Sequence, residues 1–393
     1  MLLFIILLTT DILSFLVLKE HLYRSSGTGF IVASIIHLVL SIWLWITYIS
    51  VISWKGPFDT PQNVDNQMKL TGLISAVVAT RGLIIITHYL GKLFRIKEKS
   101  YIRSLTNLGL ISASFYFTIL AISFITKFNY KTEELTISIK DLPEEFDGLR
   151  MVHISDLHLG GFNSRPEKVN ELVELINGLN PDIIINSGDF VSYGWRELAG
   201  FDTVLAKARS RYGNFAILGN HDIGTYIPEQ TEEGIDENLT KMRELIKSSG
   251  YVLLENKYSE IKIGTKKLSV IGVSTGGRFP DITHGSIVNA TSGMGSSDLL
   301  IAICHDPDQW EKEIVGKTNI HLTLSGHTHA MQMGIHTPYF KWSAAKYIYP
   351  NWNGIYVEGD QYQYVNRGAG VLIPFRIWMP PEITVINLKS GDM

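Results

Sequence analysis

Cysteine is almost absent: Cys304 is the only one among 393 residues. No internal disulfide can form, and a thiolate-based zinc site is excluded. Any metal must therefore be held by His, Asp, Glu or Asn. Net charge is also scarce. A formal charge of −3 and a pI near 6.5 leave no strongly basic face of the kind that grips nucleic acid, so no nucleic-acid partner is expected. Internal repeats and low-complexity stretches are missing, so neither organises the chain. The N-terminus lacks a basic n-region and a small-residue cleavage site, which argues against a signal peptide.

Apolar residues are concentrated at the front. Mean hydropathy is +0.11 despite 19% charged residues. Four apolar runs, at about 2–18, 29–53, 71–91 and 107–126, carry that excess. A helix needs about 20 such residues to cross the hydrocarbon core, with a range of about 17–25. None of the runs has a polar stripe that could face water, so they are expected to form an all-α four-helix transmembrane region over residues 1–128. Lysine and arginine orient it. Lys19 and Arg24 follow the first run, and Lys92, Arg95, Lys97, Lys99 and Arg103 follow the third, whereas the loop between them has only Lys55 and Lys69. The basic loops are expected in the cytoplasm. Everything after residue 127 is then expected outside it, on a multi-pass protein of a bacterial-type plasma membrane. Two charges, Asp11 and Arg81, lie inside the runs at nearly equal depth, given about 1.5 Å of rise per residue. A buried ion pair is geometrically possible, acting as structural glue or as a site for a lipid headgroup or a proton.

Residues 129–393 read differently, as strands interleaved with helices and then strands in succession. The strand candidates are "LRMVHISD", "PDIIINSGD", "NFAILGNHD", "YVLLEN", "SEIKI", "KLSVIGV", "LLIAICHD", "IHLTLSGH" and "EITVINL". One helix opens at Pro166, with Val169, Leu172, Val173, Ile176 and Leu179 at helical spacing. A polar, acidic insertion over 223–238 precedes a second, "ENLTKMRELIKSSG", ended by Gly250. Such a pattern predicts stacked sheets with helices outside.

Polar residues recur at the carboxyl ends of these strands, the edge where ligands bind in open α/β sheets. They are Asp156 and His158, Asp189, Asn220 with His221 and Asp222, His305, and His327 with His329. Seven nitrogen or oxygen donors can converge there, an inventory suited to two divalent cations. Asp156 and His158, two apart in extended chain, point the same way and can hold a first metal. Asp189 can bridge to a second, which His305 and Asn220 supply, and His327 and His329 can serve one metal each. Mixed imidazole, carboxylate and amide donors suit Mn, Fe or Zn better than Ca or Mg.

The fragments "DLH", "GD", "GNHD", "CHDP" and "GHTH", taken in order, resemble the calcineurin-like metallophosphoesterases, and the resemblance covers about residues 136 to 390. The C-terminal "YVNRGAG…PPEIT" stretch resembles a branch often attached to membrane segments. The resemblance implies a four-layer α/β/β/α sandwich and a dinuclear site. One metal would take Asp156, His158, Asp189 and His329, and the other Asp189, Asn220, His305 and His327. It also implies that His221 protonates the leaving group. Asp222 either assists His221 or acts as a local cap. One departure stands beside the ligands, where Ala330 and Met331 replace two glycines common in relatives, which bears on substrate preference. Two metals about 3.5–4 Å apart can hold a bridging hydroxide and clamp the phosphoryl oxygens for in-line attack.

The function expected is a membrane-anchored phosphoesterase acting on membrane lipids or a lipid-linked phosphate, with no protein partner implied. Alternatives are a hydrolase of soluble nucleotides or phosphomonoesters, or a non-catalytic membrane scaffold or sensor. The "HTPYFKWSAAKYIYPNWNG" stretch after the histidine pair mixes aromatics with lysines, as headgroup-facing segments do. It either rests on the membrane or folds over the domain's own core.

Overall fold

The computed structural model describes residues 2–23, 26–93, 99–163, 165–274 and 285–391. Arg24, Arg95 and Lys97 of the basic loops lie outside the described residues, as do the side chains of Lys99 and Arg103. The chain divides into two compact units. One comprises Met1–Lys55, Asn66–Thr126 and Ile373–Phe375, the other Gly56–Asp65, Lys127–Leu372 and Arg376–Met393.

The first unit is helical. Its helices are Leu2–Leu22, Gly27–Ile52, the part of Pro61–Leu73 from Asn66 onward, which runs through a π turn (Ile74–Val78) into Ala79–Leu93, and Lys99–Thr126. Four spans here are long and apolar enough to cross a membrane. Ile31, Val32, Ile35, Ile36, Val39, Ile42 and Trp43 of the second helix are all exposed. Acyl chains suit such a surface, whereas in water a patch of that size favours aggregation. The third helix begins at Pro61 rather than 71. Its first turns are the polar "PQNVDNQMKL", which a hydropathy reading cannot see, and proline suits the first helical position.

Asp11 and Arg81 do pair. Arg81 Nη1 lies 2.9 Å from Asp11 Oδ1. The Ser41 hydroxyl donates to Asp11 Oδ1 at 2.6 Å, Trp45 Nε1 donates to Asp11 Oδ2 at 3.2 Å, and Arg81 Nη2 donates to Ser41 Oγ at 2.6 Å. The carboxylate thus has three donors from two other helices, which is the satisfaction that buried charge in a bilayer requires.

The second unit is a four-layer sandwich of two six-stranded sheets with helices outside. The first sheet runs in spatial order Lys131–Ile139, Glu382–Ser390, Arg150–Ile154, Ile183–Asn186, Asn214–Ala216, Val252–Leu253. The second runs Gly354–Glu358, Gln361–Val365, Leu322–Ser325, Leu299–Cys304, Lys266–Val273, Lys257–Ile263. Their inner faces share one core, in which Met151, Ile183, Ile185 and Phe215 of the first sheet meet Leu268, Val270, Ile301 and Leu324 of the second. On the far side of the second sheet, Ile271, Ala302 and Cys304 pack with Ile287, Trp310 and Ile314. Strands buried on both faces read as the near-continuous apolar runs found in the sequence.

Several elements differ from the expected ones. The first strand starts at Lys131, with four residues between it and the last membrane helix, which ends at Thr126. The helix expected from 237 starts at Glu232, where the Thr231 side chain accepts from Gly234 N and caps it, so the acidic insertion ends early. The hairpin Gly354–Val365 escaped the sequence reading, although Gly359 takes the positive φ (57°) that such a turn requires.

Candidate metal centre

Every expected site residue follows the carboxyl end of a parallel strand. Asp156 and His158 follow Arg150–Ile154, Asp189 follows Ile183–Asn186, and Asn220 to Asp222 follow Asn214–Ala216. His305 follows Leu299–Cys304, and His327 and His329 follow Leu322–Ser325. The first three strands lie in one sheet and the last two in the other, so the site spans the shared edge of the sandwich.

Two donor groups form there. Asp156, His158 and His329 offer ligand atoms all within 4.8 Å of one another, and so do Asp189, His305 and His327. In the first group His158 Nε2 lies 3.0 Å from His329 Nε2, which is 3.2 Å from Asp156 Oδ1. In the second, His305 Nε2 is 3.1 Å from Asp189 Oδ2, and His327 Nδ1 is 2.9 Å from Asn220 Oδ1. Asp189 Oδ2 also lies 3.7 Å from His158 Nε2, so it faces both groups. Imidazole nitrogens and carboxylate oxygens aimed at common points form a donor set that a divalent cation of the Mn, Fe or Zn type fits. The buried Nδ1 of His329 has no hydrogen-bond partner among the described residues.

Residues 149–331 match the calcineurin-like phosphoesterase family. The chain carries a calcineurin-like phosphoesterase domain. This is the domain of metal-dependent phosphoester hydrolases. The chain is 29% identical over 272 residues to the zebrafish transmembrane protein with metallophosphoesterase domain, a match covering 66% of this chain and 58% of that one. It is 29% identical over 274 residues to the Bacillus subtilis metallophosphoesterase YkuE, covering 67% and 86%. With the Chlamydia muridarum UDP-2,3-diacylglucosamine pyrophosphatase the identity is 25% over 296 residues, covering 63% and 86%.

The phosphoesterase domain holds its candidate ligands on strained backbone. Asp156, His158, Asp189, His327 and His329 have φ of 53°, 45°, 58°, 72° and 48°. A non-glycine residue there costs about 1–3 kcal/mol, a conformation that persists only where the surroundings enforce it. Two glycines make room for the turns. Gly188 has φ +102°, and a Cβ on it would stand 2.6 Å from Gly219 N. A Cβ on Gly326 would collide with the Ser155 hydroxyl and the Asp156 carboxylate.

Burial and neighbouring charge set the protonation states. Burial pushes His158 down to about 3 and His327 to about 4, and drives His329 well below the ordinary range. Neutral imidazoles are the ligating form. Burial also disfavours charge on His305, but Asp189 and Asp156 outweigh it and lift that group to about 10. For Asp189 burial raises the carboxyl, but the neighbouring His305 and His221 outweigh it and hold it well below the usual carboxylate range.

His221 stands beside both groups. Its backbone N–H donates to Asp189 Oδ1 at 2.9 Å, its Nδ1 lies 2.7 Å from the Ser192 carbonyl oxygen, and its ring stacks on Tyr226 at 4.3 Å. Among the described residues no hydrogen bond joins Asp222 to that ring. Its carboxylate accepts from the backbone N–H of Asp189 (2.9 Å), Gly219 (2.9 Å) and Val191 (3.1 Å), which is the local-cap alternative.

Sequence reasoning missed several supporting residues. The Ser192 hydroxyl lies 3.3 Å from His158 Nδ1, and the Tyr349 hydroxyl lies 2.9 Å from His327 Nε2, which leaves Nδ1 of His327 toward Asn220. The "NRGAG" stretch braces the Asp156 turn, with Ala369 N donating to Ser155 O at 2.8 Å and Gly370 N to Asp156 O at 3.0 Å. Arg376 in turn fixes that stretch by donating to the carbonyls of Arg367, Gly368 and Gly370. The glycines and arginines of this stretch were its one visible signal.

Proposed function

We propose that the protein is a membrane-anchored phosphoesterase with two divalent cations, hydrolysing a phosphate ester or pyrophosphate bond of a lipid-linked or cell-envelope substrate. The observation that carries this reading is the pair of donor groups facing one carboxylate, Asp189, with His221 beside them. Asp156, His158, Asp189 and His329 would hold one cation, and Asp189, Asn220, His305 and His327 the other. When bound, such a pair activates water and neutralises charge on the phosphoryl group. The chain's own residues supply the rest. The Ser192 carbonyl accepts from Nδ1–H of His221, which leaves Nε2 as the nitrogen that delivers a proton to the departing oxygen. Asp222 holds the amides of Asp189, Val191 and Gly219, and so keeps the two metal-facing turns in register.

The lipid part of the reading rests on the loop that leaves the histidine pair. Its hairpin Gly334–His336/Lys341–Ser343 carries Tyr339, 98% exposed, and Phe340, also exposed, at its tip. Trp378, 64% exposed, lies on a neighbouring segment joined to the hairpin through Gly334 N and the Ile377 carbonyl. Trp352 and Ala345 of the same loop are buried, so part of it does pack into the domain. Exposed aromatics with Lys341 and Lys346 among them suit a headgroup region. One relative is itself named for a diacylated sugar nucleotide. Replacing Tyr339, Phe340 and Trp378 together by Ser should lower hydrolysis of a bilayer-embedded phosphate about tenfold, the effect of losing about 1.4 kcal/mol of surface binding. A soluble chromogenic ester should be cleaved at the wild-type rate. Equal losses on both would make the loop part of the fold alone.

The domain is further proposed to face away from the cytoplasm. The lysine and arginine asymmetry supports this, and four crossings would leave the 53–60 loop and the domain on the same side. A periplasm-dependent reporter fused after Met393 is expected to be active, and a cytoplasm-dependent one silent. The reverse pattern would turn the site inward.

A further inference from the structure

We propose that residues 56–65, which lead from the second membrane helix into the third and include the third's first turn, are a positioning element of the phosphoesterase site, acting through the loop 192–197. The proposal rests on the reading of His221 as the proton donor. Ser192 is the residue of that loop which touches the chemistry, with its carbonyl on His221 Nδ1 at 2.7 Å and its hydroxyl 3.3 Å from His158 Nδ1. Two sets of contacts hold Ser192 in place. Buried Glu197 does so from within the loop, its carboxylate accepting from the backbone N–H of Tyr193 (2.7 Å), Ser192 (2.9 Å), Gly160 (3.2 Å) and Gly194 (3.3 Å).

The membrane link grips this turn from the other side. Asp59, 1% exposed, accepts from Arg196 Nη1 at 3.1 Å and from the Arg196 backbone N–H at 3.3 Å. It presses so closely on Gly194 that a Cβ there would stand 2.6 Å from Asp59 Oδ2. The Phe58 ring meets the Tyr193 ring edge-on at 4.9 Å. Val64 sits against Gly160, where a Cβ would stand 2.6 Å from Val64 Cγ1 and 2.5 Å from Glu197 Oε2. A buried carboxylate and an aromatic contact thus hold the turn that carries Ser192, and a packed valine backs Gly160, which shares Glu197 with that turn. Polar contacts of this kind act over short range and tolerate little displacement, and a misplacement of about 1 Å in a catalytic group can cost about a hundredfold in rate.

The test uses full-length protein in detergent with a soluble phosphate ester. Asp59→Ala is expected to lower kcat by between about tenfold and a hundredfold, with KM and bound-metal content near wild type. Val64→Ala, which keeps the ion pair and creates a small cavity, is expected to lower kcat in the same direction and covers the case in which Asp59→Ala does not fold. In a His221→Ala background the added Asp59→Ala change should lose its effect, because residues acting through one group are not additive. Folded, metal-loaded Asp59→Ala and Val64→Ala proteins with wild-type kcat would overturn the proposal, as would an undiminished loss in the His221→Ala background. If His221→Ala alone leaves turnover unchanged, the proton-donor reading fails. The positioning role is then decided by the kcat of the Asp59 and Val64 variants alone.

Discussion

Asp189→Asn is expected to strip both cations from the protein and lower turnover by about 10³-fold or more, since activation of water and phosphoryl charge neutralisation together supply several kcal/mol. The reason is positional. Asp189 Oδ2 lies 3.1 Å from His305 Nε2 and 3.7 Å from His158 Nε2, so one oxygen serves both donor groups. Its other oxygen accepts the His221 N–H at 2.9 Å. Asparagine keeps the size but removes the charge, and one of its two terminal atoms becomes a donor that repels a cation. Ligands confined to one group should behave differently. Asp156→Asn should release one metal equivalent, and His305→Ala the other. Elemental analysis after dialysis distinguishes these outcomes. Two equivalents retained by the Asp189 variant would remove the bridging assignment, while loss of a single equivalent would assign Asp189 to one group only.

Much of this centre is legible in the sequence because its donors sit in short motifs directly after strands. Strands buried on both faces announce themselves as apolar runs, and Asp156, Asp189, Asn220, His305 and His327 follow within four residues of them. The membrane helices are legible for a similar reason, since hydropathy is a property of each segment by itself. What escapes is whatever depends on distant partners. The Lys131–Ile139 strand opens on the polar "KTEE" and is the outermost strand of its sheet, pairing with the distant C-terminal Glu382–Ser390. The left-handed backbone at five candidate ligands is imposed by surrounding turns, and no local propensity points to it. Asp59 and Arg196 are 137 residues apart and belong, by composition, to different parts of the chain. Asp222 shows the limit most clearly. The sequence "NHD" puts it beside His221 and invites a catalytic pair, yet in the fold its carboxylate turns to three backbone amides. A neighbour in sequence is not thereby a neighbour in chemistry.

His221→Ala should leave both cations bound and slow turnover by about 10²–10⁴-fold, the usual loss when an acid–base group is removed. Metal retention is expected because His221 is not a member of either donor group, although its ring meets the His158 ring edge-on at 5.0 Å. Its link to Asp189 is through the backbone N–H, which alanine keeps. The ring is oriented from two sides, by the Ser192 carbonyl at 2.7 Å and by Tyr226 stacked at 4.3 Å, which is the placement a proton donor needs and a mere packing residue does not. The loss should depend on the leaving group. An alkyl ester departs as a strongly basic alkoxide and needs the proton, whereas a nitrophenyl ester departs as a weakly basic phenolate and does not. The variant should therefore lose far more rate on the alkyl ester than on the nitrophenyl ester. Comparing kcat on the two substrates at matched metal content reads this directly. The same fractional loss on both would mean that His221 orients substrate without protonating it, and full activity on both would take the residue out of the reaction altogether.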